Sequence, residues 1–481
     1  MSDKTLSTRD KALQVNLDDR RYGSFTEIGA GQEVVRWFFR VGGAAGTIAK
    51  SISAYDMKVS DAIYGKCERY VCRPRLESML DYEQNLNMER LREERGDTTA
   101  FFTFADTVSA RNFHGTNECH GWLGIRFQAH PRDEDSQIII HVRMLDQTNA
   151  RQQEALGIVG VNLIYGACFL HHHPEKLVES LLDNLSTDRI EIDMIEFNGI
   201  EFRHVDNRLM SLKLVQLGLS NAAMFGPDGE VLQPSEVLRK RPILVERGSF
   251  RPVTHTNLDI LRCASERFCR EPGVDSDRVV QLMEITMNNL RATGGLDGRD
   301  FLARADMLSA CGKTVLISNY FEYYRLAAYL TRYTQEKIGL TMGAGSLVEL
   351  FDEKYYGELS GGILESFGRL FKNDLKLYIY PLKQNDHLVT AANIKIAEEL
   401  KQLYGYLCDR GCIEDLENFR AECLDIFSRD VLRKISAGDC TWKELVPPAV
   451  AGVIQERNYL GHTNCVDFPE DDDVEPLSLA S

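Results

Sequence analysis

The chain has 481 residues, 43% of them hydrophobic and 27% charged, the composition of a water-soluble globular protein long enough for two or three domains. Its 56 basic and 72 acidic side chains leave a net charge of −16, the wrong sign for sequence-independent nucleic-acid binding, so nucleic acid is set aside as a partner. No run approaches the ~18 consecutive apolar residues that a membrane-spanning helix requires.

Met1 to Asp10 lack the apolar segment of a secretory signal, so a cytoplasmic location is expected. The first 95 residues read as mainly helical, with apolar residues at helical spacing over 30–39 and 75–94. Between them 42–50 is rich in small residues. From 99 the texture changes to β-rich runs at 99–108, 121–128 and 137–144. Apolar helical patterns follow at 151–170 and 174–185, then a strand at 189–197, a helix at 207–217 and a strand at 222–225 closed by the Gly226-Pro227-Asp228-Gly229 turn. A short strand at 242–245 precedes a glycine turn and a helix through Ile260, Leu261 and Ala264. Further on lie a helix at 277–290, a strand at 313–318, a helix at 320–334, a strand at 338–342, a helix at 363–371 and a strand at 375–380. The stretch 389–433 reads as helical. Strands alternating with helices predict a multidomain α/β fold with mixed or parallel sheets. The expected division is a helical segment 1–95, α/β domains over 96–240 and 241–388, a helical segment 389–465 and a disordered acidic tail 466–481.

The segment most suggestive of a ligand is Arg247-Gly248-Ser249-Phe250-Arg251-Pro252-Val253-Thr254-His255-Thr256-Asn257. A strand, a glycine turn and a helix in that order present backbone N–H groups and a helix N-terminus, which suits an anion such as phosphate. This stretch resembles the signature of nicotinamide-mononucleotide adenylyltransferases, a glycine-hydroxyl-Phe-x-Pro motif followed by two polar positions, which closes the first strand of a Rossmann-like fold. The resemblance implies ATP with Mg²⁺ as ligand and transfer of AMP to nicotinamide mononucleotide, a step of NAD biosynthesis. It also implies that Gly248, Ser249 and Phe250 approach the nucleotide with their backbone, and that Thr254 and Asn257 hold phosphates. Asn257 stands where that family has a histidine. Arg247, Arg251 and Ser318 are the nearest further candidates for charge neutralisation or hydrogen bonding. A remnant of the family's second signature runs from Ile317 through Ser318 to Arg325, the arginine shifted by two positions. As a whole the chain is similar to a bacterial family often labelled nicotinamide-nucleotide adenylyltransferase, on the segments 25–33, 42–50 and 53–56. The alternative of a different class is a non-catalytic scaffold or assembly protein, possible as a homo-oligomer, that keeps such a fold without activity.

A third reading is a hydrolase or transferase built on Asp106, His114, Cys119 and His120, which cluster ahead of a strand. Glu27-Ile28-Gly29-Ala30-Gly31-Gln32-Glu33 superficially matches the glycine loop of S-adenosylmethionine methyltransferases, with a helix N-terminal turn as the plainer account. His171-His172-His173 reads as an exposed loop, and Asp146 follows a central-looking strand. Cys408 and Cys412 lie four apart, but the twelve cysteines contain no C-x-x-C pair and are expected to be reduced thiols. The aromatic segments 320–325 and 355–356 read as packing surface.

Overall fold

A computed structural model describes residues 5–462, apart from Thr293 and Asp386. The expected acidic tail at 466–481 lies outside the described residues. The architecture is α/β, in two compact units. The first comprises the chain up to Met224 with Glu230–Glu236 and Ile317–Asn319. The second comprises Phe225–Gly229, Val237–Leu316 and the chain from Tyr320 onward.

The strands of the first unit are β1 (Arg21–Gly29), β2 (Ile48–Ile52), β3 (Ala100–Ser109), β4 (His120–Phe127), β5 (Ser136–Met144) and β6 (Ile190–Gly199), ordered β2-β1-β3-β4-β5-β6 in one sheet. The pairs β1/β2 and β1/β3 are parallel, and β3/β4, β4/β5 and β5/β6 antiparallel. One sheet face packs on the 23-residue helix Arg73–Arg95, whose Leu76 and Leu80 meet the bare backbone at Gly124. The opposite face carries Ile138, Ile140 and Val142 into a core shared with the helix Asn149–Phe169.

Residues 21–29 and 48–52 were not expected to form strands, so the mainly helical stretch 1–95 also contributes β1 and β2 to the sheet. The polar residues that hide β1 from periodicity are satisfied inside the fold. Ser24 donates to Asn87 at 2.8 Å, the hydroxyls of Thr26 and Tyr64 lie 2.8 Å apart, and Glu27 accepts the Val34 N–H at 2.9 Å. Gly23 is needed because a Cβ there would lie 2.0 Å from the Phe102 carbonyl oxygen. Tertiary pairing outweighs a weak local preference.

After β7 (Ala222–Phe225) and β8 (Val231–Leu232) come β9 (Ile243–Arg247), β10 (Val280–Thr286), β11 (Thr314–Ser318), β12 (Ile338–Gly343), β13 (Lys376–Tyr380), the hairpin β14 (Leu382–Gln384) and β15 (His387–Val389), and β16 (Ile413–Asp415). The main ladder runs β16-β13-β12-β9-β10-β11, with β9/β10, β9/β12, β12/β13 and β13/β16 parallel. From β9 the chain winds outward through β10 to β11, then returns to the other side of β9 for β12 and winds outward again. This doubly wound order opens a crevice at the carboxyl ends of β9 and β12, where the winding reverses. The stretch 277–290, expected as a helix, is β10 followed by the short helix Met287–Arg291. A strand buried on both faces carries a nearly continuous apolar run, which periodicity does not distinguish from helix. The stretch 389–433 likewise holds β16 among short helices rather than one helical run. Among the described residues ten cysteines are free thiols, whereas Cys440 is disulfide-bonded.

Candidate functional site

The crevice of the second unit is a cleft of about 430 Å³, within the size range of small-molecule sites. Each strand that ends there contributes. β9 delivers Arg247, Gly248 and Ser249; the turn after β10 delivers Thr286, Asn288 and Asn289; the chain after β11 delivers Phe321, Glu322 and Tyr323. The helix Ala344–Leu350, following β12, adds Ser346 and Glu349, and Tyr355 and Tyr356 complete the wall.

The floor is held by charge-assisted hydrogen bonds. Arg247 Nε and Nη2 donate to the two oxygens of fully buried Glu284 at 2.7 and 3.0 Å. The remaining guanidinium donors reach the carbonyls of Phe321 at 2.6 Å and Tyr320 at 2.9 Å, and the guanidinium lies 4.1 Å from the centre of the Tyr323 ring. Buried Arg304 donates to the carbonyls of Ser249 at 3.1 Å and Asn289 at 3.2 Å and also pairs with Asp300, which ties the turns after β9 and β10 together.

The sequence-predicted residues divide across this floor. Arg247, Gly248 and Ser249 reach the cleft. Phe250 is buried, with φ +47°, and its ring lies where a Cβ on Gly248 would come within 2.8 Å, which explains the glycine. Thr254 is buried at the head of the helix His255–Phe268. Asn257 Oδ1 accepts from the Thr254 amide at 3.0 Å and the Thr254 hydroxyl at 3.1 Å, and its Nδ2 donates to Glu246 at 3.2 Å. Thr254 and Asn257 therefore close a capping box behind the floor. The same pattern recurs at the end of β10, where the Thr286 hydroxyl bonds Asn289 Oδ1 and the Asn289 amide donates back to Thr286 Oγ1 at 3.2 Å. Arg251 pairs with Asp300 at 2.5 Å, and Ser318 is fully buried; neither lines the cleft. Behind the floor, Glu246 keeps one carboxylate oxygen without a partner, and burial pushes its carboxyl up to about 8.

The aromatic segments 320–325 and 355–356, read as packing surface, supply cleft wall: Phe321 is 44% exposed, and its ring centre lies 5.2 Å from that of Tyr355. The concentration of aromatics was visible in the sequence; that the two segments converge was not. Arg247 is neutralised by Glu284 and Glu322 pairs with Arg325 at 3.1 Å, so the further acidic side chain of the lining is Glu349.

In the first unit the four residues of the third reading separate. His114 is exposed and packs on Phe113, the Cys119 thiol contacts the Asn117 carbonyl at 3.8 Å, and Asp106 is sealed on β3 opposite Glu27 of β1. Burial, with the Glu27 charge second, raises the Asp106 carboxyl well above the usual range; burial holds that of Glu27 near 8. Glu27 caps the helix Val34–Val41 by accepting the Val34 and Val35 amides, so the glycine loop 27–33 is a helix N-terminal turn. His120 instead joins two residues that sequence reading missed. Its Nδ1 lies 3.0 Å from His141 Nε2, and His141 Nδ1 lies 2.5 Å from Asp193 Oδ1. Gln233 Nε2 donates to the other Asp193 oxygen at 3.3 Å, and Trp122 packs edge-on against His141. A register shift sets Met194 opposite His141 but Ile192 opposite Val142, leaving Asp193 as the extra residue of a bulge that aims its carboxylate at His141. Asp146 is engaged by Arg189 at 2.7 Å and Arg151 at 3.2 Å. Cys408 and Cys412 belong to no metal-ligating cluster among the described residues.

Among solved structures the chain is similar to the competence/damage inducible protein CihA from Agrobacterium tumefaciens, with 12% identity over 35% of this chain and 99% of that one, at a TM-score of 0.25. A competence-damaged protein (CinA) superfamily protein from Klebsiella pneumoniae gives 10% identity, 36% and 99% coverage and a TM-score of 0.26. A competence or damage-inducible protein from Enterobacter asburiae gives 11%, 33% and 95%, and 0.24. Likenesses this slight carry no argument for function. No family model matches the chain, and no curated protein matches it. Among the described residues no helix is long and apolar enough to cross a membrane.

Proposed function

We propose that the second unit binds a nucleotide in the cleft at the carboxyl ends of β9, β10 and β12. The carrying observation is the convergence, at the point where the winding reverses, of the Gly248–Ser249 backbone with exposed aromatic rings and amide side chains. Phe321 and Tyr355 offer faces for a base, and Asn288 and Ser346 offer hydrogen bonds to a sugar or phosphate. Glu322 and Glu349 are hard oxygen donors of the kind Mg²⁺ takes, so phosphates would enter as the Mg²⁺ complex rather than bare. Catalysis of AMP transfer by Thr254 and Asn257 is not part of this reading, since each is committed to the other in a cap. Titration calorimetry and thermal shift with ATP–Mg²⁺, ADP and nicotinamide mononucleotide test it. Phe321→Ala is expected to weaken binding by about 5- to 150-fold, the value of about 1–3 kcal/mol of base stacking, and Ser346→Trp to abolish it. Absence of heat and of thermal shift with every nucleotide at millimolar concentration would sink the reading.

The Asp193–His141–His120 array supports a second, acid–base reading in the first unit. An ionised Asp193 accepts from His141 Nδ1–H, so His141 Nε2 is the acceptor and His120 Nδ1 carries the shared proton. His120 is the partly exposed member of the array. Nitrogen-15 NMR at neutral pH checks the tautomer: a His120 protonated at Nε2 and bare at Nδ1 refutes the relay.

A further inference from the structure

We propose a divalent transition-metal site of the zinc class in the first unit, with His171, His172 and Glu201 as its protein ligands. One ligand atom from each lies within 4.8 Å of the others. His171 and His172 occupy the turn that follows the helix Asn149–Phe169, their ring centres 3.9 Å apart, and His172 Nδ1 lies 3.8 Å from Glu201 Oε2. Glu201 sits in the single turn Ile200–Phe202 that follows β6, its amide fixed by Ser136 Oγ at 3.1 Å. Two turns from distant parts of the sequence thus bring together two imidazoles and a carboxylate.

The second, independent observation is the state of His171. It is 4% exposed, its ring rests against Phe127, and neither ring nitrogen has a hydrogen-bond partner. A buried imidazole with both nitrogens unbonded is unfavourable unless something outside the polypeptide engages it. A metal ion does so through one nitrogen.

Two imidazoles and one carboxylate form a borderline donor set that favours zinc over the hard cations Mg²⁺ and Ca²⁺. Zinc bonds of about 2.0–2.1 Å at tetrahedral angles put ligand atoms about 3.4 Å apart. Closing from 4.8 Å asks for movement of roughly an ångström, which His172, 61% exposed, and Glu201, 22% exposed, can supply while His171 stays fixed. Three protein ligands leave a fourth position for water.

Calorimetry of the full-length, tag-free chain with ZnCl₂, together with the visible spectrum of the Co²⁺-substituted protein, tests the site. One ion per chain and the intense absorption of tetrahedral cobalt are expected. Glu201→Gln is expected to weaken binding at least tenfold and His171→Ala to abolish it, whereas His173→Ala leaves it unchanged. Because His171→Ala opens a cavity, the Glu201→Gln and His173→Ala pair keeps the test decisive if that variant fails to fold. Surface capture by a run of three histidines predicts the reverse, loss with His173→Ala and indifference to Glu201→Gln. That pattern, or the absence of stoichiometric binding, overturns the proposal.

Discussion

Arg247 is the residue at which a phosphate-binding role and a structural role make opposite predictions. Its side chain is 11% exposed, its partner Glu284 is fully buried, and the pair is joined by two hydrogen bonds of 2.7 and 3.0 Å. Arg247→Met removes both guanidinium hydrogen bonds from the buried Glu284 carboxylate, and a buried pair that loses one partner costs about 3–5 kcal/mol. The same change frees the carbonyls of Tyr320 and Phe321 and removes the cation from the Tyr323 ring. At about 2–4 °C per kcal/mol for a unit of this size, the melting temperature of the second unit should fall by roughly 6–20 °C. Replacing the partner as well, in Arg247→Met/Glu284→Gln, should recover about 2 kcal/mol, since the buried charge is then gone. Differential scanning calorimetry of the wild type, both single variants and the double variant reads this coupling. If Arg247→Met melts within 3 °C of the wild type while nucleotide binding disappears, Arg247 is a ligand-contacting residue and the assignment as an anchor is wrong.

Asn257→Ala removes one capping box and should cost about 0.5–2 kcal/mol in urea unfolding, with nucleotide affinity changed less than threefold; a collapse of affinity in a folded variant would return Asn257 to the binding site. Asn289→Ala, at the equivalent cap after β10, should cost a similar amount. Glu246 holds its proton to about 8 in the folded chain, above its ordinary value of 4.5, because it is buried. The folded state therefore binds more protons than the unfolded state between those values, so this residue's contribution to stability falls as pH rises through that window. Glu246→Gln, which keeps an acceptor for Asn257, should flatten the decline in melting temperature between pH 5 and pH 8; an unchanged slope refutes the buried-acid account. Gly31→Ala sets a Cβ 1.9 Å from Asp106 Oδ1 in a fully buried position and should cost about 1–3 kcal/mol, partly restored by adding Asp106→Ala.

Where local pattern and tertiary burial agree, the elements could be read directly. β3, β4, β5 and β6, the helix Asn149–Phe169, and β9, β12 and β13 fall within two residues of the runs of β-forming or helically spaced apolar residues that announce them. Where the two conflict, burial decides. β1 carries Ser24, Thr26 and Glu27 into the interior because Asn87, Tyr64 and the head of the helix Val34–Val41 wait there with partners. β10 reads as helix because both of its faces are largely buried, so its residues lack the alternation of apolar and polar that marks a half-exposed strand.

The candidate sites divide along the same line. Threonine and asparagine three apart at 254 and 257 look like phosphate ligands when taken singly, yet Thr286 and Asn289 repeat the spacing after the next strand. A pair found at the heads of two helices, each following a strand, is better explained by the helix N-terminus, which always has amides to satisfy, than by a ligand that would visit only once. That repetition was open to inspection in the sequence and argues for the cap without coordinates. The relay at His120 offered no such cue. His120, His141 and Asp193 lie on three strands, and strict alternation along β6 sets Asp193 on the opposite face from Ile192 and Met194. Only the one-residue slip between the Val142–Ile192 and His141–Met194 pairs turns the carboxylate onto the imidazole. Because a bulge is a property of how two strands pair, not of either strand alone, the residue it re-aims belongs to a site that no scan along the chain can assemble.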